Sequence, residues 1–153
     1  MPAEQEYSGL LQAMALATAL LVLTVVIHYE VLRLTSKLGD HVNMRPRTHI
    51  LLGMFGAFVA HILEIWVYAG AYFLMVEHLD LGHFGGHFQD NWLNYLYYST
   101  TSYTSLGLGD VYPSGELRLI TGVEALNGLV LIAWSASFTY LSMEKYWKAA
   151  EES

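Results

Sequence analysis

The hydrophobic and polar positions of this chain divide it into three long apolar segments separated by polar connections. The apolar segments cover about residues 10–34, 50–76 and 117–140. Each exceeds the roughly 20 residues that a helix needs to cross the hydrocarbon core of a bilayer. Because backbone groups in lipid must bond within their own segment, each segment is predicted to be a helix. The pattern therefore predicts an all-α membrane protein with three transmembrane helices.

A fourth apolar segment is shorter and rich in tyrosine, since residues 91–105 read NWLNYLYYSTTSYTS. It falls short of the roughly 20 residues that a span requires. Asp90 or Asn91 is a suitable N-cap, because a short polar side chain accepts from the first free amides of a helix. We predict a re-entrant helix that enters the membrane and turns back, with the non-helical backbone after it buried or lining water.

Basic residues predict the side of the membrane on which each connection lies. The first connection, residues 35–49, is short and polar, with Gly39 and Pro46 as predicted helix breakers. Basic residues lie in or beside it and again after the third segment: Arg33, Lys37, Arg45, Arg47, Lys145 and Lys148. The long connection, residues 77–116, has acidic residues and no Lys or Arg. Since cytoplasmic connections carry excess positive charge, the N-terminus is predicted outside and the C-terminus inside.

Composition narrows the classes of function. Only 14% of the residues are charged, against about 25% in a soluble domain, as expected of a surface that faces lipid. The net charge of -7 argues against nucleic-acid binding, which needs clustered Lys and Arg. The absence of cysteine excludes disulfides, thiolate metal sites and cysteine catalysis. The acidic N-terminus lacks the positive region of a secretory signal, so the first apolar segment is predicted to be a span.

A glycine-containing motif follows the predicted re-entrant helix, where residues 104–113 read TSLGLGDVYP. By itself, such a motif is most simply a tight turn between two helices. Placed between a short aromatic helix and a full span, it resembles the signature of potassium channels, T-T-V-G-Y-G-D followed by Pro. Residues 96–99, LYYS, resemble the end of that family's pore helix. The resemblance covers about residues 50–147, and the first span has no counterpart in the simplest two-span members.

The resemblance implies a site and an assembly. Potassium exchanges its hydration shell for rings of backbone carbonyls, and alternating glycines let successive carbonyls point one way through left-handed dihedrals. The implied selectivity filter has six residues, of which the first four supply the potassium-binding carbonyls: Ser105, Leu106, Gly107, Leu108, Gly109 and Asp110. Because one loop cannot enclose an ion path, the resemblance implies a homotetramer. It also implies that potassium is the permeant ion, with no cofactor and no enzymatic activity.

Two departures from the family pattern matter in the motif and one in the preceding helix, while Thr104 matches the first threonine of the motif. Ser105 replaces a threonine, which keeps the hydroxyl and loses a methyl group. Leu108 replaces the usual tyrosine, which weakens aromatic packing around the filter. Thr101 stands where the family's pore helix frequently has glutamate. The prediction is therefore potassium conduction, with a weakly selective cation channel as an alternative.

Three further residues of the last span are candidates for supporting the filter. Glu124 is ionisable and within a span, so it needs a partner and is expected to face the pore helix or the cavity. Asn127 is one helical turn away and is expected to share that face. Gly128 lies near the place of the family's inner-helix hinge, and close helix packing is the alternative.

Histidine and carboxylate residues raise the question of a metal site. His61 and Glu64 lie three apart on one face of the second span. They are either metal ligands or, as we favour, interhelical hydrogen-bonding groups. His28 and Glu30 lie two apart on a helix and are not expected to chelate together. The outer connection has three histidines that either sense protons, bind metal or cap a solvated loop: His78, His83 and His87.

The chain is predicted to comprise an N-terminal helix with its cytoplasmic loop (1–48), a pore domain (49–148) and a short cytoplasmic tail (149–153). Membrane lipids and further copies of the chain are the expected partners, with no nucleic acid and no soluble partner evident. The resemblance to bacterial members implies the bacterial cytoplasmic membrane. Two rival classes are a non-conducting accessory subunit and a metalloenzyme built on the His/Glu pairs.

Overall fold

A computed structural model describes residues 2–41 and 46–151 of the chain. Within these ranges the chain forms four helices and two three-residue strands. In chain order they are α1 (Pro2–His41), α2 (Pro46–Glu77), β1 (Phe84–Gly86), α3 (Trp92–Tyr103), β2 (Val111–Pro113) and α4 (Leu117–Glu151). The predicted all-α architecture, with a short helix between the second and third long helices, is confirmed.

Three of the described helices are long and apolar enough to cross a membrane: Tyr7–Gly39, Arg47–Glu77 and Leu117–Lys145. Large apolar side chains on these helices are exposed, as at Leu11 and Phe55, whereas Glu64 and Glu124 are fully buried. Apolar groups outside and bonded polar groups inside are the distribution that a lipid environment requires. The protein is therefore an integral membrane protein, and the three predicted spans are confirmed.

The first connection is shorter than predicted, and Gly39 does not break a helix. Helix α1 continues through Gly39 to His41, and α2 begins at Pro46. A side chain added at Gly39 would place its Cβ 2.6 Å from Nδ1 of His49, so this glycine permits close packing instead. Proline suits the first position of α2 because the amide it lacks would be unbonded there. Arg45 of the predicted basic cluster lies outside the described residues.

The contacts within the chain define two units. The first unit comprises Met1–Thr24 and Ile65–Leu129, and the second comprises Val25–Glu64 and Val130–Ser153. The core of the first unit is strongly aromatic, with five buried tyrosines: Tyr68, Tyr72, Tyr95, Tyr98 and Tyr103. The second unit buries a histidine, a glutamate and a serine, namely His28, Glu64 and Ser135.

Strands β1 and β2 form a small antiparallel ribbon in the first unit, which the sequence analysis does not predict. Gly85 pairs with Tyr112, and Phe84 pairs with Pro113. The ribbon is extended by a bond from the amide of Ser114 to the carbonyl of His83 at 2.9 Å. Gly85 lets the Tyr112 ring lie against the backbone of β1, since an added Cβ would lie 2.6 Å from that ring. The ribbon joins the segment between α2 and α3 to the segment after the glycine motif.

Candidate functional site

Helix α3 has twelve residues and is capped at its N-terminus by Asn91. The Asn91 side chain accepts a hydrogen bond from the amide of Asn94 at 3.0 Å, so Asn91 is the cap of the two predicted candidates. One face of α3 is buried in the first unit, including Tyr95 and Ser99. Its length is insufficient for a span, as expected of a re-entrant helix.

The chain folds back over the C-terminal end of α3. The Thr101 carbonyl accepts hydrogen bonds from the amides of Leu106 and Gly107, at 2.9 and 3.2 Å. The hydroxyls of Thr101 and Thr104 both donate to carbonyls within α3, at 2.9 and 2.8 Å. The carbonyls of Thr100 and Thr101 are among the last four of α3, which have no partner within the helix. These bonds fix the start of the glycine motif against the helix.

The glycine motif, residues 105–110, has an alternating backbone conformation. Ser105, Gly107 and Gly109 have φ values of 56°, 54° and 80°, whereas Leu106 and Leu108 between them are not in the positive-φ region. Left-handed φ at every second residue turns successive carbonyls toward one side, and glycine adopts it without steric cost. Ser105 adopts it despite its side chain, which marks a conformation imposed by its surroundings.

All six residues of the motif are exposed in the single chain. The side chains of Leu106 and Leu108 are 62% and 59% exposed. A Cβ added at Gly107 or Gly109 would have no atom within 4 Å. Within one chain, these two glycines are therefore required by backbone conformation and not by lack of space.

The C-terminal end of the motif is attached to its surroundings through Asp110. Oδ2 of Asp110 accepts a hydrogen bond from the Tyr97 hydroxyl at 2.8 Å. The carbonyl of Asp110 accepts from the amide of His87 at 2.9 Å. The hydrogen bond to Asp110 is also the main cause that raises the pKa of Tyr97. The motif is thus held at its start by α3 and at its C-terminal end by Tyr97 and by His87 of the segment between α2 and α3.

Glu124 is fully buried and joins three helices of the first unit. Its Oε2 accepts from the Tyr72 hydroxyl at 2.5 Å, and its Oε1 lies 2.6 Å from Oγ of Ser99. Ser99 Oγ also lies 2.9 Å from the carbonyl of Ile65. Of the two predicted surroundings of Glu124, the pore helix and the cavity, Ser99 of α3 corresponds to the first, and Tyr72 and Ser99 were not predicted as its partners. Ser99 follows a run of aromatic residues in the α3 sequence, and a small polar residue at that place is a signal for a buried hydrogen bond.

Asn127 and Gly128 of α4 have different neighbours from Glu124. The Asn127 amide donates to Thr24 Oγ1 at 2.7 Å and to the Tyr68 hydroxyl at 3.1 Å, so Asn127 does not share the Glu124 partners. A Cβ at Gly128 would collide with the carbonyl oxygen of Tyr103, the last residue of α3. Gly128 therefore provides close packing of α4 against the end of α3.

The second unit brings together histidine and carboxylate side chains from two helices. His28 Nδ1 of α1 lies 2.9 Å from Glu64 Oε1, and His61 Nδ1 lies 3.3 Å from Glu64 Oε2. The spacing of His61 and Glu64 predicts their contact, whereas nothing local to α1 predicts that His28 joins them. Glu30 instead forms an exposed ion pair with Arg33 at 2.6 Å.

The three histidines of the outer connection, His78, His83 and His87, are exposed. Among the described residues, they do not form a group of three potential ligands at metal-binding separation. His83 and His87 take part in the ribbon region through their backbone groups. The sequence-based alternatives of proton sensing and a solvated cap stay open for these side chains.

Three apolar helices, a short helix that cannot span, and a glycine motif with alternating φ together define a membrane protein of the pore-loop class. A family model described as ion channel matches residues 48–144. This match covers more than half of the chain, which therefore belongs to that ion channel family. It includes α3, the glycine motif and most of α4, and it leaves α1 outside.

No curated protein and no solved structure matches the chain.

Proposed function

We propose that the chain is one subunit of a homotetrameric channel that conducts potassium through backbone carbonyls. The observation that carries the proposal is the alternating positive φ of Ser105, Gly107 and Gly109 directly after a short helix. The carbonyls of Ser105, Leu106, Gly107 and Leu108 are the proposed potassium ligands. Such carbonyls replace the hydration shell of the ion and attract no anion.

The exposure of the motif supports assembly of several copies. Leu106 and Leu108 are apolar yet mostly exposed, and the space beside Gly107 and Gly109 is open. One loop provides one wall of an ion path, and closed rotational symmetry is the usual way in which identical chains complete such a site. Four copies are proposed because the family signature belongs to fourfold pores.

The charges near the motif favour cations. Asp110 lies at its outer end, and no Lys or Arg occurs between Thr48 and Leu117. The C-terminal end of α3, which has the negative end of the helix dipole, adjoins the start of the motif. Both features attract cations, so cation conduction has support beyond the backbone conformation.

Purified protein in liposomes tests the proposal directly. We expect a reversal potential that prefers potassium to sodium and excludes chloride, together with cross-linking that proceeds to tetramers. Chloride current, or the absence of any flux from well-inserted protein, would contradict it. A non-conducting accessory subunit would show the second outcome.

A weakly selective cation channel is the second candidate, and Leu108 favours it. Tyrosine is usual at this position in the family. The leucine side chain has no hydrogen-bonding group, so it cannot stabilise the motif by a hydrogen bond to its surroundings. Equal potassium and sodium permeability would select this candidate and retain the carbonyl pore.

The proposed location is the bacterial cytoplasmic membrane, with the N-terminus outside and the C-terminus inside. The basic residues of the first connection and of the end of α4 support this orientation. A C-terminal tag accessible from the outer side would contradict it.

A further inference from the structure

The second unit contains a closed ring of four hydrogen-bonding side chains that the proposed pore does not use. Glu64 lies between the two imidazole Nδ1 atoms, as described above. Ser135 Oγ of α4 lies on the opposite side, 3.3 Å from His28 Nε2 and 3.0 Å from His61 Nε2. His28 and Glu64 are fully buried, and the side chain of His61 is 16% exposed.

The number of hydrogens in this ring does not match its contacts when both imidazoles are neutral and Glu64 is an ionised carboxylate. If each Nδ1 carries the hydrogen and donates to Glu64, both Nε2 atoms face Ser135 with lone pairs. A serine hydroxyl has one hydrogen and satisfies one of them. The ring would then combine one unmatched hydrogen-bond contact with a carboxylate charge inside a span, and either one added proton or one bound cation would balance both.

We propose that His28, His61 and Glu64 bind a divalent transition-metal cation of the Zn²⁺ type. Two imidazoles and one carboxylate are a common ligand set for zinc. One ligand atom from each residue lies within 4.8 Å of the other two. Metal–ligand bonds of about 2.0–2.1 Å place tetrahedral ligand atoms about 3.3 Å apart. His28 Nδ1 lies 2.9 Å from Oε1 of Glu64 and His61 Nδ1 lies 3.3 Å from Oε2, so one ion would bind both carboxylate oxygens or would draw the two Nδ1 atoms toward one of them.

A bound cation balances the charge of the buried Glu64 carboxylate. With the cation on both Nδ1 atoms, each imidazole carries its hydrogen on Nε2, and both donate to the two lone pairs of Ser135 Oγ. Ligating histidines usually donate their second N–H to such a partner, which fixes the ring orientation. The indole of Trp134, with its ring centroid 5.2 Å from that of His28, adds an apolar wall. Ser135 is therefore a positioning residue and not a ligand.

The proposed site connects α1, which lies outside the matched channel region, to α2. Bound metal would link His28 of α1 to His61 and Glu64 of α2. The inference does not depend on conduction, since binding is measured on detergent-purified protein without a flux assay.

The first experiment measures metal binding by full-length protein purified without a polyhistidine tag and stripped with chelator. His78, His83 and His87 are replaced by alanine in the background so that the outer connection contributes no ligand. We expect one Zn²⁺ per chain, X-ray absorption with two imidazoles and a carboxylate at about 2.0–2.1 Å, and the visible spectrum of four-coordinate Co²⁺. Failure to bind, or an all-oxygen ligand environment, would overturn the proposal in favour of a proton-bridged ring.

Variants identify the ligands. His28→Gln and Glu64→Gln should each weaken Zn²⁺ binding more than about 100-fold, and Ser135→Ala should weaken it about 10- to 100-fold. Glu30→Gln is the matched control, because Glu30 lies on the same helix, is exposed and pairs with Arg33; it should leave the affinity unchanged. Unchanged binding in both ligand variants would refute the assignment, and the absorption spectrum of the background protein decides it if either variant fails to fold.

Discussion

The hydroxyl of Tyr72 on α2 donates to Oε2 of Glu124 on α4 across 2.5 Å. Ser99 Oγ of α3 lies 2.6 Å from the other carboxyl oxygen, Oε1. The buried Glu124 side chain of α4 therefore bonds to both α2 and α3 in the first unit. These contacts give Glu124 a structural role, because a polar group buried within a membrane span must have hydrogen-bonding partners.

Glu124→Ala should therefore destabilise the protein by about 2–4 kcal/mol, because it removes the charged acceptor of the Tyr72 hydroxyl and leaves Ser99 with the Ile65 carbonyl as its acceptor. Glu124→Gln should recover much of the loss, since an amide can accept from Tyr72 and donate to Ser99, which then donates to the Ile65 carbonyl. Thermal unfolding and tetramer yield in detergent measure both effects. Glu116→Ala, at a half-buried position, is the control, and equal losses in the two alanine variants would count against this role.

Gly128→Ala should disturb the packing of α4 against α3. The added methyl group collides with the Tyr103 carbonyl, and overpacking of this kind costs about 1–3 kcal/mol. Gly122→Ala is the matched control in the same helix, because no atom lies within 4 Å of its Cβ position. That change should be neutral or stabilise by up to about 1 kcal/mol. Similar melting temperatures for the two variants would show that α4 does not approach α3 so closely.

The sequence predicts the helices well and the polar contacts poorly, for a physical reason. Apolar length and capping are local properties, so three spans and the Asn91 cap follow from a few neighbouring residues. The contact of His61 with Glu64 follows from helical spacing. The contact of His28 with Glu64 joins residues 36 positions apart and depends on how α1 packs, which no local pattern specifies.

The same limit explains the ribbon and Gly39. Strands of three residues with two adjacent glycines, Gly85 and Gly86, are too short to show alternation. Gly39 has the composition of a helix breaker, but its close approach to His49 is a tertiary property. The alternating φ of the glycine motif was inferable from Gly107 and Gly109, whereas the positive φ of Ser105 was not.

Tyr97→Phe should loosen the outer end of the motif by removing the hydrogen bond to Asp110. We expect a smaller potassium-to-sodium permeability ratio, with insertion unaffected because Tyr97 is not in the buried core. Tyr112→Phe, at an exposed neighbouring position, is the control. A permeability ratio that is unchanged in Tyr97→Phe would show that the bond does not support the filter.

The same bond has a defined pH dependence. Because the folded protein raises the pKa of Tyr97 above its usual value of 10.0, the bond is fully present below about pH 10 and is lost as the pH rises through the raised value. Selectivity measured from pH 7 to 10 should therefore stay constant in wild type. A loss of selectivity between pH 8 and 9 that Tyr97→Phe removes would contradict the raised pKa.

Gly107 provides the sharpest test of the pore. Its φ is 54° and no atom lies within 4 Å of an added Cβ, so a substitution there changes the backbone conformation without a steric clash in the same chain. Gly107→Ala places a side chain in the left-handed region at a cost of about 1–2 kcal/mol per chain, and a tetramer would incur that cost four times around one ion path. The carbonyls of Leu106 and Gly107 should lose their common direction, so potassium selectivity should be abolished or altered while the three spans still insert. Gly122→Ala, in the regular part of α4, should leave the reversal potential in mixed potassium and sodium unchanged. Leu108→Tyr introduces the aromatic residue common in the family and should maintain or increase the preference for potassium. If Gly107→Ala conducted with unaltered ion preference, residues 105–110 would be a turn between two helices, and the conducting path would have to lie elsewhere.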